Sequence, residues 1–344
     1  MAGCIFSLLI ALPNSADAAT EFKPYGFVLA NIAYNSGRVN INDIPTMAIN
    51  DASLEKSLWM SARQSRIGVK ITPDTDVPVK AVIEVDVFKG VRRRTAFAQI
   101  KISEKTNLIV GQHWMIFSPV LPTSLAHQGV VTLTASGNLW TRVPQVRIES
   151  NSGALSLQAA IQQPISGSSQ QGVPDITGRA AYTLPMGTCG VSAYVGMQSY
   201  NGGNDDVTSF AVSADWSIAA GPPSIKGEAG MGESVSGFGS SSGTRLNSSG
   251  VTEGVPVVLS WVQLGYKLSP KLAVHAGLGM EIPDRLNIEI AGLVDENRTI
   301  YANAIWKPWG PFRFALQVDQ IETIYLPSTA ESALVLNIAT QVVF

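Results

Sequence analysis

Residues 79–88 read VKAVIEVDVF. The odd positions, Val79, Ala81, Ile83, Val85 and Val87, are all apolar, and the even ones include Lys80, Glu84 and Asp86. Alternation at period two makes a strand with one apolar and one polar face, whereas a helix would gather its apolar residues every three or four positions. The pattern recurs at 210–218, 271–281 and 312–319. In the last stretch Leu334, Leu336, Ile338, Thr340, Val342 and Phe344 share a face, with Asn337 and Gln341 opposite. Sixteen segments of this kind are predicted, near 24–35, 62–72, 78–89, 95–103, 107–117, 141–150, 153–163 and 175–185, then 189–199, 207–219, 224–234, 257–268, 271–282, 299–307, 312–325 and 332–344.

The connections sharpen the expectation. Tight turns, such as PDTD at 73–76, EKTN at 104–107, PMGT at 185–188 and PWGP at 308–311, alternate with longer loops at 36–60, 164–174, 234–256 and 283–298. That is the rhythm of an up-and-down barrel trimmed at one end only. Outer-membrane barrels have short periplasmic turns and longer extracellular loops. The fold class expected is therefore all-β: a transmembrane antiparallel β-barrel of about 16 strands over 19–344. Aromatics near strand ends on the apolar face, including Tyr34, Tyr182, Trp216, Tyr266, Trp306 and Phe344, fit a membrane interface. The Gly/Ser-rich stretch 234–256 is expected to be a flexible extracellular loop.

Composition narrows the alternatives. Apolar residues make up 45% of the chain and charged residues 15%, against a usual charged share of about 25%. Lys+Arg is 24 and Asp+Glu 26, so no nucleic-acid partner is expected. No apolar run reaches the roughly 20 residues of a spanning helix. Residues 1–18, with an apolar core at 5–12 and Ala16-Asp17-Ala18 after it, read as a secretory signal peptide. With Cys4 lost in that segment, Cys189 has no partner for a disulfide.

Catalytic chemistry is thinly represented. His113, His127 and His275 lack metal-ligand spacing, and neither a metal nor a cofactor is expected. His127 beside Ser124 keeps a barrel enzyme open as an alternative, and an exported soluble β-protein or adhesin is another. The charges carry more. On the polar face fall Arg66, Lys70, Lys80, Lys101, Arg147, Arg179 and Arg313, with Glu84 and Asp86 among the acids. Sixteen strands enclose an aqueous channel, and basic rings bias such a pore towards anions. Arg92, Arg93 and Arg94 are expected in an external loop at the mouth, gathering anions or meeting lipopolysaccharide phosphates. The apolar connection 118–139 is expected to fold into the lumen as a constriction loop.

The stretches RQSRIGVKITPDT (63–75), AVIEVDVFKG (81–90), LIVGQHWMIFSPVLPTSL (108–125), RVPQVRIES (142–150) and PDITGRAAYTL (174–184) resemble the DcaP-like trimeric porins of Gram-negative outer membranes. The resemblance implies a homotrimeric channel for small anionic organic solutes such as dicarboxylates. It implies pore-lining roles for Arg66, Arg142 and Arg147, and places Gln112 and Trp114 where the chain enters the constriction loop. The expectation drawn from the whole is a passive diffusion channel of the bacterial outer membrane, in contact with lipid and lipopolysaccharide. Phe344 is expected to serve the barrel-assembly machinery as a recognition signal.

Overall fold

A computed structural model describes residues 20–49, 56–165, 172–200, 205–246, 249–284 and 292–344. The expected signal peptide lies outside them. Among the described residues nineteen strands occur. They are β1 (Glu21–Asn35), β2 (Ser57–Ser61), β3 (Arg66–Thr72), β4 (Val79–Asp86), β5 (Arg92–Lys101), β6 (Thr106–Trp114), β7 (Arg142–Ser152), β8 (Leu155–Gln162), β9 (Asp175–Leu184) and β10 (Gly187–Tyr200). Then come β11 (Asp205–Ala219), β12 (Pro223–Glu233), β13 (Thr244–Leu246), β14 (Thr252–Gly254), β15 (Pro256–Ser269), β16 (Leu272–Pro283), β17 (Val294–Trp306), β18 (Phe312–Tyr325) and β19 (Thr329–Val343).

All neighbours pair antiparallel, and β19 returns to β1 from Phe27↔Val343 to Asn35↔Val335. β2 and β3 both pair with β1 and are two pieces of one barrel strand. β13 and β14 form a separate hairpin. The result is a closed antiparallel barrel of sixteen strands. Each corresponds to one predicted segment. Closure leaves no unpaired sheet edge, the condition for a sheet to sit in lipid.

The faces follow the pleat. In β19 Ala333, Val335, Asn337, Ala339 and Gln341 are buried inside, while Leu334, Leu336 and Ile338 are exposed outside. The outer row continues through Val258, Leu264, Ile300 and Leu316. An apolar row around the outside of a closed barrel is the pattern of a barrel set in lipid.

Two irregularities matter for the lumen. Between β2 and β3 the strand breaks at residues 62–65, where Gln64 turns inward. Between β4 and β5 the register slips by one at Glu84/Val85, opposite Thr95 and Arg93. The extra residue is Arg94, so Arg92 and Arg94 both face in.

Connections at one end are uniformly short. At the other, residues 36–56, 115–141, 163–174, 234–255 and 284–293 are long, but 87–91, 201–204 and 326–328 are not. The described residues of 234–255 differ from the expected flexible loop. They carry a 3-10 turn (Ser236–Phe238) and pack inward, with Val235, Phe238, Ser242 and Val255 buried. The small Ser side chains serve as donors: Glu281 accepts from the hydroxyls of Ser240 and Ser241 at 2.8 and 2.5 Å and from the Ser241 amide at 2.6 Å.

Candidate pore and its lumenal loop

Residues 115–141 leave β6, cross the barrel interior and return to β7. Their anchors are polar groups on the inner wall. Glu228 of β12 accepts the Ser118 hydroxyl at 2.6 Å and the Val120 amide at 2.9 Å. Gln263 of β15 accepts the Thr123 amide, and Asn303 of β17 donates to the Thr123 carbonyl at 2.8 Å. Asn31 of β1 and Gln64 both donate to the Ala126 carbonyl, at 2.9 and 2.8 Å. Gln64 also accepts the amides of Gln128 and Gly129. Arg66 and Arg92 donate to the carbonyls of Gln128 and Gly129.

Apolar packing completes the seat. Leu125 and Ala126 lie with Leu29, Ile305 and Ala315, and Leu133 lies with Trp261 and Tyr301. Where the loop crosses β15 and β16 the backbones nearly touch. A Cβ on Gly137 would stand 2.2 Å from the Ser260 carbonyl oxygen, and one on Gly279 would stand 2.1 Å from that of Ser136. Glycine is required at both.

The inner arginines are mostly spoken for. Arg66 sits 3.4 Å from Glu84, Arg94 bonds Glu84 at 2.9 Å and Asp86 at 2.7 Å, and Arg92 bonds Asp86 at 2.6 Å. Arg147 pairs with Glu149, and Arg179 pairs with Asp215 at 2.6 Å. Lys101 pairs with the exposed Glu104 at 2.9 Å. Lys70 stands 5.3 Å over the Tyr25 ring.

The mouth cluster is therefore corrected. Arg92, Arg93 and Arg94 belong to β5 rather than to a loop. Arg92 and Arg94 neutralise inner acids, and Arg93 points the other way, bonding Gln112 at 2.8 Å. One further residue, Arg142, is placed differently from its expected pore-lining role, while Gln112 and Trp114 stand at the end of β6 where the chain enters the loop. By register Gln112, Trp114 and Arg142 have the parity opposite to the inward Gly111, Gln145 and Arg147. The Arg142 guanidinium is stacked over Trp114 at 4.7 Å and Trp140 at 5.4 Å, at the neck of the loop.

The free cations are elsewhere. At the short-turn end a cavity of about 740 Å³ is lined by Lys267, Lys271, Lys307 and Arg313, by Arg66 and Glu84, and by loop residues Thr123 to Leu125. Among the described residues none of these three lysines, nor Arg313, forms an ion pair. Sequence reasoning found Arg313 and missed the lysines, because they sit in or beside turns where charge is ordinary. Lys80 lines a second, smaller hollow with Gln99 at the same end.

The arrangement needed for hydrolysis is not formed. The Ser124 hydroxyl donates to Gln317 at 2.6 Å and accepts the His127 backbone amide at 3.1 Å. The His127 ring lies 3.8 Å from Asp319 and makes no hydrogen bond. No group of metal-ligating side chains occurs among the described residues.

A closed sixteen-stranded barrel, apolar outside and polar inside, with one connection folded across its interior, is the architecture of an outer-membrane porin. The solved structures agree. The outer membrane channel DcaP of Acinetobacter baumannii matches at a TM-score of 0.83 and 19% identity, covering 97% of this chain and 99% of that one. The anion-selective porin from Comamonas acidovorans matches at 0.68 and 11%, over 94% and 100%. OmpT of Vibrio cholerae, an outer membrane protein, matches at 0.63 and 12%, over 94% and 98%. No family model and no curated protein sequence matches the chain.

Proposed function

We propose that the chain is a passive porin of the bacterial outer membrane that favours small anionic solutes, organic dianions such as dicarboxylates among them. The observation that carries this is the short-turn end of the lumen, where Lys267, Lys271, Lys307 and Arg313 face a shared cavity without partnered acids. A solute moves down its own gradient through the polar interior. Selection comes from width beside the inward loop, here read as the constriction, and from the field of fixed charge. Because most inner arginines are neutralised in place, the net field arises at the lysine-rich end, which this reading sets towards the periplasm. Phe344, whose backbone bonds Gly26 at the barrel seam, is read as the residue offered to the assembly machinery.

Reversal potentials in planar bilayers under a salt gradient test the preference. The expected sign is that of an anion-favouring pore; cation preference would overturn the reading. Arg313→Glu should move the reversal potential towards cations, since it converts an uncompensated positive charge to a negative one.

A homotrimer is proposed with it. OmpT of Vibrio cholerae, of the same fold, includes a trimer form. Detergent-extracted protein should run in SDS as a band of about three chains before boiling and one after. A single-chain band in both lanes would remove the trimer from the proposal.

A further inference from the structure

The cavity at the short-turn end has more structure than a charged rim. Four cations reach it from two neighbouring turns, β15–β16 and β17–β18. Lys267 is near the end of β15, Lys271 stands just before β16, Lys307 just after β17, and Arg313 near the start of β18. The strand pairings bring them together. Lys267 pairs with Ala273, Ala273 with Ile305, and Ile305 with Ala315, so all four lie within two residues of one cross-strand line. The Lys307 amide bonds the Lys271 carbonyl at 2.7 Å, tying the two turns directly. The three lysines are exposed and Arg313 half-buried.

The one acidic side chain in the lining does not cancel this charge. Glu84 of β4 is held between Arg66 at 3.4 Å and Arg94 at 2.9 Å, and it accepts the Tyr25 hydroxyl at 3.1 Å. The inner end of the cavity is the lumenal loop itself. Thr123, Ser124, Leu125 and Gln128 line it there, and their segment is bonded to Gln263, Asn303 and Gln317. A solute entering from the short-turn end meets four free cations on one side and then a fixed obstruction.

We infer that this cavity is a binding site for small multivalent oxyanions, phosphate or carboxylate in chemistry, entered from the short-turn end. The inference rests on the porin reading above and adds a resting place within the pore. Charge decides the class. A monovalent anion meets the cations one at a time and passes. A di- or trivalent anion engages several at once, and its attraction grows with its charge while the exit path past the loop stays narrow. The mixture of side chains suits this. Arg313 offers a planar fork to one oxyanion edge, and the lysines supply movable point charges around the rest. Because the cations cluster at one end and the inner arginines are neutralised, occupancy should depend on the side of addition.

The test is one-sided block in planar bilayers. Protein is inserted from one compartment only. Inorganic pyrophosphate, then citrate, is added to one side and afterwards to the other, in chloride salt. For the unaltered protein we expect both probes to reduce the chloride current from one side at concentrations at least tenfold lower than from the other, with relief at high salt. The Lys267→Gln, Lys307→Gln, Arg313→Gln triple variant should lose that asymmetry. Its barrel is checked by heat-modifiable mobility. No block, equal block from both sides, or unchanged block in the folded triple variant would each overturn the site. The porin reading fails separately: if chloride reversal potentials show no anion preference the broader proposal is wrong, whereas anion preference with symmetric or absent block removes this site alone.

Discussion

Glu228→Ala should release the first part of the lumenal loop and raise single-channel conductance markedly, with added open-channel noise. Glu228 is 2% exposed, and its two oxygens take three donors: the Ser118 hydroxyl at 2.6 Å, the Val120 amide at 2.9 Å and the Trp261 indole at 2.8 Å. Removing the carboxylate leaves all three buried without an acceptor, each at a cost of about 1–3 kcal/mol. Water entering beside residues 118–120 relieves that cost, and the loop leaves the wall to admit it. Lys226, two residues along β12, still holds Thr123 at 2.9 Å, so the change is confined to the first part of the loop. Ser118→Ala removes one donor and should give a smaller effect in the same direction. Conductance unchanged in Glu228→Ala would mean that residues 118–120 do not limit the passage.

Ile338→Arg should fail to insert, or insert with a loss of roughly 2–4 kcal/mol, the cost of arginine on the lipid face near the bilayer middle. Ile338 is exposed on the outer row, mid-strand in β19, between Ile32 on one side and Leu316 on the other. Ala273→Arg is the matched control. Ala273 has the inward parity of His275 and lines the cavity at the short-turn end. Its arginine meets water and should leave stability nearly unchanged. Urea unfolding in lipid vesicles reads both variants. Equal losses would contradict the assignment of faces, and with it the transmembrane barrel.

The faces were legible from the sequence because lipid outside and water inside leave period-two patterns almost no freedom. A one-residue slip would turn every side chain of a strand to the wrong medium. Leu334 to Phe344 and Asn337 to Gln341 fall on the faces their alternation assigns. What escaped was set by events outside any single segment. The bulge at Arg94 breaks the parity count in VRRRT, so a basic run that reads as a loop is a strand whose first and third arginines reach Glu84 and Asp86. Arg142 is the first residue of β7, two before Pro144, and it stacks on Trp140 just ahead of it and on Trp114 at the end of β6, across the loop's neck. The run of serines after Phe238 reads as a flexible tether by composition. Its acceptor, Glu281, is some forty residues later, and only the barrel's closure brings the two together. Ion pairing of the inner arginines is likewise a property of register, which fixes Arg66 opposite Asp86 and Arg179 near Asp215.

The seam carries a consequence for how the molecule comes to exist. The bonds that join Phe27–Asn35 to Val335–Val343 link positions roughly 300 apart along the chain. Until β19 is present, the free edge of β1 has no partner, and every strand added so far holds an oily row towards water. A partial sheet of this kind is a template for joining other partial sheets. Productive folding therefore waits for the complete polypeptide, and it proceeds at the slow pace that long-range pairing imposes. Until a bilayer receives it, the nascent chain is exposed to that joining.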